Sequence, residues 1–232
     1  MPTANSYQQN WYEESMRSRE EAWATRFGPS SPPDQVFKPR NEQMEFTVPG
    51  FAFLRFPPGE GRDFWLYVTH GLAQPATFAD FTEGFNGDLS GNGVEFAFAT
   101  KEEEAWPLTM LERLSSYALS GTKPISPLDR IPASDLMEEK RGGHILVLSE
   151  PGYNNEIHSL SGTFFLFHMV GVTADEIAKA KEYEGAVGSK ILELALRECG
   201  IGCVTDRGRN SITTRPNFAS VWEACEKQAA VD

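Results

Sequence analysis

Apolar residues recur at two different spacings, and the spacing changes repeatedly along the chain. Over residues 11–27 they recur every three or four positions among Glu and Arg, which predicts an amphipathic helix ending at Gly28. From Met44 onwards the period becomes two, as in strands. Residues 64–72 are apolar on both faces, which predicts a strand inside a sheet. The mixed order of strands and helices predicts an α+β fold with a mostly antiparallel mixed sheet flanked by helices.

The other predicted elements follow from the same periods and from local end signals. Further strands are predicted at 94–100, 145–148, 163–172 and 201–205, helices at 106–119, 173–182, 187–198 and 218–229, and a loop at 122–132. Thr173 and Glu176 form a capping-box signature. The helix at 106–119 has a predicted apolar face that includes Leu108 and Tyr117. The predicted boundaries are a helical arm and linker over 1–43, a main domain over 44–215, and a C-terminal helix over 216–232.

Three closely spaced glycines, Gly87, Gly91 and Gly93, raise the question of a phosphate-binding loop. A nucleotide fingerprint places its glycines between a strand and a helix N-terminus, and a P-loop also needs Gly-Lys-Ser/Thr. Here the glycines precede a strand, and no lysine follows in the required place. Asn92-Gly93 is instead a strong hairpin signal, because both residues tolerate a positive φ. We therefore predict a hairpin turn and no nucleotide site.

The net charge of −12 bears on the class of partner. It argues against nucleic acid, whose phosphates an acidic surface repels. It suits a basic protein partner, since complementary charge speeds encounter, although high charge also serves solubility alone. With 40% hydrophobic residues the chain is long enough and apolar enough to form a packed core.

The cysteine content and the N-terminal sequence indicate a cellular compartment. The chain has three cysteines, Cys199, Cys203 and Cys225. An odd, low count without an apolar N-terminal run is typical of a reduced, cytoplasmic protein. The longest apolar segment, 163–172, is too short to span a bilayer, so no membrane association is expected. Cys199 and Cys203 resemble half a metal site, but no second pair completes it, so no metal and no cofactor is expected. The sequence leaves the oligomeric state open.

Some ingredients of nucleophilic catalysis are present. A triad needs a nucleophile on a tight turn, a base within reach and an acid that orients the base. The turn motif Gly-x-Ser-x-Gly is absent. The candidate groups are the hydroxyls of Ser149 and Ser161 and the imidazoles of His70, His144, His158 and His168. We expect His70 and His168 in the core and His144 and His158 in loops, so catalysis is not the favoured function.

Arg207 and Arg209 form a small basic cluster in an acidic chain. Guanidinium groups grip carboxylates and phosphates with two parallel bonds, so the pair could hold an anionic ligand. The favoured alternative is that they pair with Asp206 or a nearby Glu at the end of a strand.

Several segments in a fixed order resemble one family. They are FWLYVTHGLA at 64–73, VEFAFAT at 94–100 followed by Trp106-Pro107, ILVLSEPG at 145–152, the stretch 162–196, and VTDRGRNSI. Over roughly residues 45–212 the chain resembles the suppressor of fused (SUFU) domain family. The resemblance implies the same α+β class and a non-enzymatic, protein-binding role.

The resemblance also implies a contact site. Two-domain animal members clamp an extended peptide of a transcription factor, and the matching positions here are Tyr117, Glu150 and, if the loop aligns without gaps, Asp129. An aromatic anchor beside two carboxylates suits a polar or basic peptide added as a strand. The alternative is that Tyr117 packs in the core and the acids are ordinary surface charges.

The resemblance implies a difference from the animal members, because the sequence ends soon after the Thr-Asp-Arg segment and we expect no counterpart of their second domain. It looks like the short, single-domain members found in bacteria, many of which are thought to be immunity proteins. The resemblance therefore favours a cytosolic immunity protein that neutralises a toxin by direct binding. The first alternative is a regulatory adaptor that sequesters a non-toxin protein. The second is a small-molecule hydrolase that uses Ser149 or Ser161 with a histidine.

Overall fold

The structure is a computed structural model that describes residues 4–27, 36–40, 48, 50–59, 61–74, 89–120, 123–137, 143–149 and 154–231. Within these ranges the chain forms seven strands and five α-helices, which confirms the α+β class. The helices are α1 (Ala4–Phe27), α2 (Trp106–Leu119), α3 (Ala174–Ala180), α4 (Val187–Glu198) and α5 (Phe218–Ala229). The strands are β1 (Ala52–Phe56), β2 (Trp65–His70), β3 (Leu89–Thr100), β4 (Arg130–Pro132), β5 (His144–Val147), β6 (Asn154–Ser159) and β7 (Gly162–Val172).

The chain forms two compact units. The first comprises Met1–Ala97, Ala105–Thr122 and Asn155–Leu166, and the second comprises Phe98–Glu104, Lys123–Asn154 and Phe167–Asp232. The strand order in the first unit is β1-β2-β3-β7, with β6 also paired to β7. In the second unit the order is β3-β7-β5-β4. Each unit is described separately below.

In the first unit, β2 is the interior strand that its two apolar faces predicted. It pairs antiparallel with β1, so that Leu54 lies opposite Val68, and its other neighbour is β3. Tyr67 and Val68 are fully buried although successive strand residues face opposite sides of the sheet. Both faces of β2 are therefore covered, which confirms the prediction.

Helix α1 belongs to the first unit and follows the predicted period. It begins earlier than predicted, at Ala4, and ends at Phe27 as predicted. Ser15, Arg19 and Trp23 are buried. These residues are four positions apart, so they share one helix face. Trp23 packs edge-on against Phe164, with ring centroids 5.4 Å apart. The arm is thus docked on its unit through this face.

In the second unit, β5 pairs antiparallel with both β7 and β4. Strand β4 lies in the predicted loop 122–132, so that prediction is wrong at its end, where Ile131 pairs with Ile145. The predicted strand at 201–205 is also wrong. Only Val204 makes a bridge, parallel to Ala99, because the backbone turns at Gly202, where φ is +56°.

The helices of the second unit agree closely with their predicted bounds. Helix α3 begins with the predicted capping box, in which Thr173 and Glu176 bond each other's backbone N–H groups. Helix α4 has one buried face that includes Ile191, Leu192 and Ala195. It is followed by α5, which buries Trp222 and Cys225. A short 3₁₀ helix, Ile212–Thr214, lies between them in sequence.

The predicted hairpin at Asn92-Gly93 is wrong, because β3 continues through both residues as one strand. The positive φ values that suggested a turn are present, at +53° for Gly91 and +69° for Gly93. At Gly91 the lack of a side chain allows another backbone segment to approach closely. A Cβ atom on Gly91 would lie 2.4 Å from the carbonyl oxygen of Gln74. Gly87 lies outside the described residues.

Candidate functional site

Tyr117 lies near the end of α2, on the edge of its buried face. Pro107 is suited to the first turn of the helix, since it has no N–H to leave unpaired. The buried residues are Pro107, Met110, Leu111, Leu114 and Ser115. Because successive residues are rotated by about 100°, Tyr117 falls about 90° from the centre of that stripe. Its side chain is 40% exposed, so the prediction that it belongs to the apolar face is wrong.

Asp129 belongs to the second unit and precedes β4. One carboxylate oxygen accepts a bond from the N–H of Ser126 at 2.9 Å, and the other lies 3.5 Å from Nζ of Lys123. Its main-chain carbonyl accepts from the N–H of Val147 at 3.0 Å. Asp129 therefore fixes its own loop with one oxygen and keeps the other beside an exposed lysine.

The residue before Asp129 has an unusual backbone conformation. Leu128 has a φ of +69°, and within the described ranges it is the one residue other than glycine with a positive φ. This conformation costs roughly 1–2 kcal/mol for a residue with a Cβ atom. It is held by main-chain bonds on both sides, from Leu128 N–H to the carbonyl of Val147 at 2.8 Å and from Val147 N–H to that of Asp129 at 3.0 Å. Strain of this kind concentrates at functional sites, which keeps the loop a candidate.

Glu150 lies outside the described residues, but its neighbour Ser149 does not. Glu193 of α4 accepts from the N–H of Ser149 at 2.6 Å and from its hydroxyl at 2.5 Å. The Glu193 side chain is buried, and Nζ of Lys190 lies 3.8 Å from it. The backbone that leads into Glu150 is thus anchored by two bonds to one carboxylate.

The three predicted contact residues are distributed over both units. Tyr117 belongs to the first, Asp129 belongs to the second, and Glu150 is not described. Their grouping into one contact site remains a prediction. What the structure adds is local: an exposed aromatic ring on a packed helix, and a carboxylate on a strained, hydrogen-bonded loop.

The groups considered for catalysis have other bonding partners. The hydroxyl of Ser149 donates to Glu193, and that of Ser161 lies 3.0 Å from the hydroxyl of Ser159. His70 is buried as predicted, and its Nδ1 accepts from the indole N–H of Trp23 at 3.2 Å. Burial, with the charge of Arg19, lowers the pKa of His70 to about 3, so its ring is neutral.

For the other three histidines, one predicted position is confirmed and two are wrong. His168 is buried, as predicted. His144 and His158 were predicted in loops but lie in β5 and β6, which is a correction. Nδ1 of His158 lies 3.0 Å from the hydroxyl of Thr163. Strand β6 was missed because its polar sequence, NNEIHS, lacks the apolar alternation of a half-buried strand.

Arg209 pairs with a nearby glutamate at a strand end, as the favoured alternative predicted. Its guanidinium donates to both carboxylate oxygens of Glu176, at 2.5 and 2.7 Å, and to the carbonyl of Gly171 at 3.1 Å. Burial alone would raise the pKa of Glu176, but the bonds and charge of Arg209 and the N–H groups of Ile212 and Thr173 hold that pKa below its ordinary value. Arg209 is therefore committed to the fold.

Arg207 is bonded to backbone of the second unit. Its guanidinium donates to the main-chain carbonyls of Leu136 at 2.6 Å and Asp135 at 3.0 Å. It ties the turn after Val204 to the segment after β4 within the second unit. Both of these acceptors are main-chain carbonyls.

One polar cluster of the first unit was not predicted. Glu95 of β3 is fully buried and pairs with Arg19 of α1, which is also fully buried. The signal was available, since Glu95 is the one charged residue in the apolar segment VEFAFAT. A buried charge needs a partner, but the sequence does not say which one.

Metal and membrane signals were also considered. No group of three or more potential metal ligands occurs among the described residues. Cys199 is half-buried and Cys203 and Cys225 are buried, all as free thiols. Burial raises the pKa of the Cys225 thiol. Among the described helices, none is long and apolar enough to cross a membrane.

Fold and site together define an α+β domain on a seven-stranded mixed sheet, with an exposed tyrosine and several buried, fully engaged carboxylates. The model of one family, Suppressor of fused protein (SUFU), matches residues 48–210, which is more than half of the chain. The chain therefore belongs to the suppressor of fused family, which confirms the resemblance seen in its sequence. Among curated proteins, none matches the chain.

Solved structures of the family share the fold. Suppressor of Fused from Drosophila is similar with a TM-score of 0.62 and 19% identity, over 93% of this chain and 55% of that protein. A Sufu–Fu complex has a TM-score of 0.59 and 16% identity, over 91% of this chain and 96% of that one. A SUFU homolog from Neisseria gonorrhoeae has a TM-score of 0.56 and 16% identity, over 88% and 97%. The chain thus spans about half the length of the Drosophila protein.

Proposed function

We propose that this chain binds another protein, and that it acts as a cytosolic immunity protein that neutralises a toxin by direct binding. Membership of the suppressor of fused family supports the binding role. One structure with this fold is a complex of Sufu with Fu, which is a second support. Neutralisation of a toxin is the more specific part of the proposal, and it is tested separately below.

The observation that carries the proposal is the exposure of Tyr117. A tyrosine that served the core would be buried with Leu111 and Leu114, yet this ring is 40% exposed at the edge of a helix that is otherwise well packed. Tyrosine is enriched in the few residues that dominate protein interfaces, because it offers a large apolar ring and a hydroxyl at low entropic cost. We therefore place the centre of the contact surface at Tyr117.

Charge supports a basic partner. The chain carries a formal charge of −12, which steers a cationic protein or an extended basic peptide toward it. In the proposed surface, Asp129 and Glu150 supply the carboxylates. Lys123 lies 3.5 Å from Asp129 but is largely exposed, so an arginine of the partner could take its place at little cost.

The first experiment is affinity capture from a lysate of the source cell with three baits. They are the wild-type chain, Tyr117→Ala, and Leu160→Ala as the matched control. Leu160 is also a large exposed side chain of the first unit, at 49%. The partner should be retained by wild type and Leu160→Ala. Loss of a central aromatic anchor costs about 2 kcal/mol or more, so Tyr117→Ala should bind at least about thirtyfold more weakly.

Two further measurements test the finer parts. Glu150→Arg should weaken binding of a basic partner more strongly at low salt than at high salt, because the charge interaction is screened. If the captured partner stops the growth of a sensitive strain, co-expression of the wild-type chain should restore growth and Tyr117→Ala should not. Binding without rescue would contradict the immunity role and favour the adaptor. Equal binding by Tyr117→Ala and Leu160→Ala would refute the surface.

A further inference from the structure

Residues 126–129, just before β4, form a tight turn of a kind that favours glycine. The N–H of Asp129 donates to the carbonyl of Ser126 at 3.1 Å, which closes a four-residue turn. The second residue of the turn is Pro127, whose ring fixes a negative φ, and the third is Leu128, whose φ is +69°. This combination is that of a type II turn, in which the third position is normally glycine or asparagine because φ is positive there.

The same leucine is also the first residue of a β-bulge. The N–H of Leu128 donates to the carbonyl of Val147 at 2.8 Å, and the N–H of Val147 donates to the carbonyl of Asp129 at 3.0 Å. Two successive residues therefore oppose one residue of β5. In a bulge whose first residue has a positive φ, that residue is normally glycine. The turn and the bulge thus favour glycine at one position, and the chain has leucine there.

Burial in the core does not account for this leucine. The side chain of Leu128 is half-buried, whereas core residues of the second unit such as Ile125 and Leu146 are 7% and 0% exposed. A positive φ is unfavourable for a residue with a Cβ atom, so glycine would relieve strain at this position. Neither the backbone conformation nor full burial therefore selects a leucine at position 128.

The turn holds an apolar group and a carboxylate side by side. One carboxylate oxygen of Asp129 accepts from the N–H of Ser126 at 2.9 Å, so bonds link the two ends of the turn in both directions. The other oxygen lies 3.5 Å from Nζ of Lys123, whose side chain is 68% exposed. Leu128 and Asp129 are therefore presented together on a fixed loop of the second unit.

We propose that Leu128 is a contact residue of the partner-binding surface. It takes an apolar side chain of the partner, next to the basic group that pairs with Asp129. The inference rests on the proposed function, in which Asp129 belongs to that surface. An exposed ion pair contributes little affinity by itself, whereas covering the exposed part of a leucine is favourable. Backbone strain is retained at positions that a function requires, which accounts for leucine where glycine fits the backbone.

Leu128→Gly separates a role in binding from a role in the fold. Its midpoint in urea should equal or exceed that of the wild type, because glycine suits both the turn and the bulge. Binding is measured by titration calorimetry with the purified protein that the wild-type chain retains in the capture experiment. The Kd for that protein should rise at least about tenfold, because the apolar contact is lost. A leucine that served only the fold would lower the midpoint and leave the Kd unchanged.

Three further variants serve as controls. Leu128→Asn also tolerates a positive φ but is polar, so it should weaken binding as much as glycine does. Leu128→Met keeps an apolar side chain of similar volume and should bind within about threefold of the wild type. Val231→Ala shortens another exposed aliphatic residue of the second unit, at 86% exposure, and should change neither the midpoint nor the Kd.

Three results would overturn the proposal and leave the proposed function standing, provided that Tyr117→Ala loses binding. The first is wild-type affinity in Leu128→Gly and Leu128→Asn. The second is a urea midpoint in Leu128→Gly lower by more than about 0.5 M, because the side chain would then serve the fold. The third is equal loss of binding in Leu128→Met and Leu128→Gly. If the wild-type chain retains no partner, the proposed function fails and this inference fails with it.

Discussion

The pair of Arg209 and Glu176 offers a sharp test of how the second unit is held together. In Arg209→Ala the carboxylate keeps the N–H bonds of Thr173 and Ile212, at 2.8 Å each, but loses both bonds from the guanidinium. The Glu176 side chain has no exposed surface in the wild type, so its carboxylate depends on these buried partners. A buried charge that loses its partner costs about 3–5 kcal/mol. The two surviving bonds place the expected loss near the lower end, at about 3 kcal/mol.

The loss of stability in Arg209→Ala should depend on pH in a defined direction. In the wild type the pKa of Glu176 lies below its ordinary value, so its contribution to stability is present above that ordinary pKa and is lost as pH falls through the folded pKa. Without Arg209, burial dominates and raises the pKa of Glu176. A raised carboxyl pKa favours folding at low pH and disfavours it as pH rises. The difference between wild type and variant should therefore be large at pH 7 and smaller at pH 4.

Urea unfolding followed by far-ultraviolet circular dichroism measures both effects. With a slope of about 2–3 kcal/mol per molar urea, the midpoint should fall by roughly 1–1.5 M at pH 7. Arg17→Ala is the matched control, because its pair with Glu21 at 3.9 Å is exposed and its removal should leave the midpoint unchanged. Adding Glu176→Gln to Arg209→Ala removes the unpaired charge and should restore part of the loss. Equal losses at both pH values would refute the reasoning.

Three other predictions are local. Gly91→Ala should lower the free energy of unfolding by more than about 2 kcal/mol, because its Cβ would lie 2.4 Å from the Gln74 carbonyl. Gly185→Ala has a similar φ of +56° and no atom within 4 Å, so about 1 kcal/mol is expected, and equal losses in urea would contradict the packing argument. Thr173→Ala removes the N-cap of α3 and should cost about 1 kcal/mol in the same assay, whereas an unchanged midpoint would count against the cap. The pKa of His70 is about 3, so its ring should show no titration by NMR between pH 8 and 5, and its contribution to stability should be lost as pH falls from about 6.5 toward 3.

Features that depend on neighbouring residues were predicted well from the sequence. The Trp106-Pro107 start of α2 and the capping box at Thr173 involve residues within one or two helical turns, so the sequence contains every group that forms them. The apolar faces of β2 are equally local, since the period of two records burial directly. These elements, together with the order of the segments that resemble the family, were sufficient to predict the α+β fold class.

Features that depend on distant pairing were predicted poorly. Asn92-Gly93 has the local signature of a hairpin, yet β3 runs through both residues, and the backbone of Gln74 approaches Gly91 closely. Tyr117 has the spacing of a core residue, but the stripe that the fold buries is centred on Leu111 and Leu114. In both cases the local conformation was foreseen and its tertiary use was not. The grouping of Tyr117, Asp129 and Glu150 into one contact site also depends on residues from separate segments, and it stays a prediction.

Three buried glutamates show why such sites resist prediction. Glu95, Glu176 and Glu193 each lie on a predicted element, and a charge within an apolar pattern indicates a buried acceptor. The partner side chains lie 76, 33 and 44 positions away, respectively, and the sequence does not show which glutamate each of them pairs with. A carboxylate can accept about four hydrogen bonds, so one side chain can join several segments. Hydrophobic packing alone would not fix the relative positions of those segments. Each of these glutamates fixes a segment that matters here, namely the arm, the turn after Val204 and the backbone before Glu150. Of the three, Glu193 bears on the proposed contact surface, because it accepts from the N–H of Ser149, the residue before Glu150.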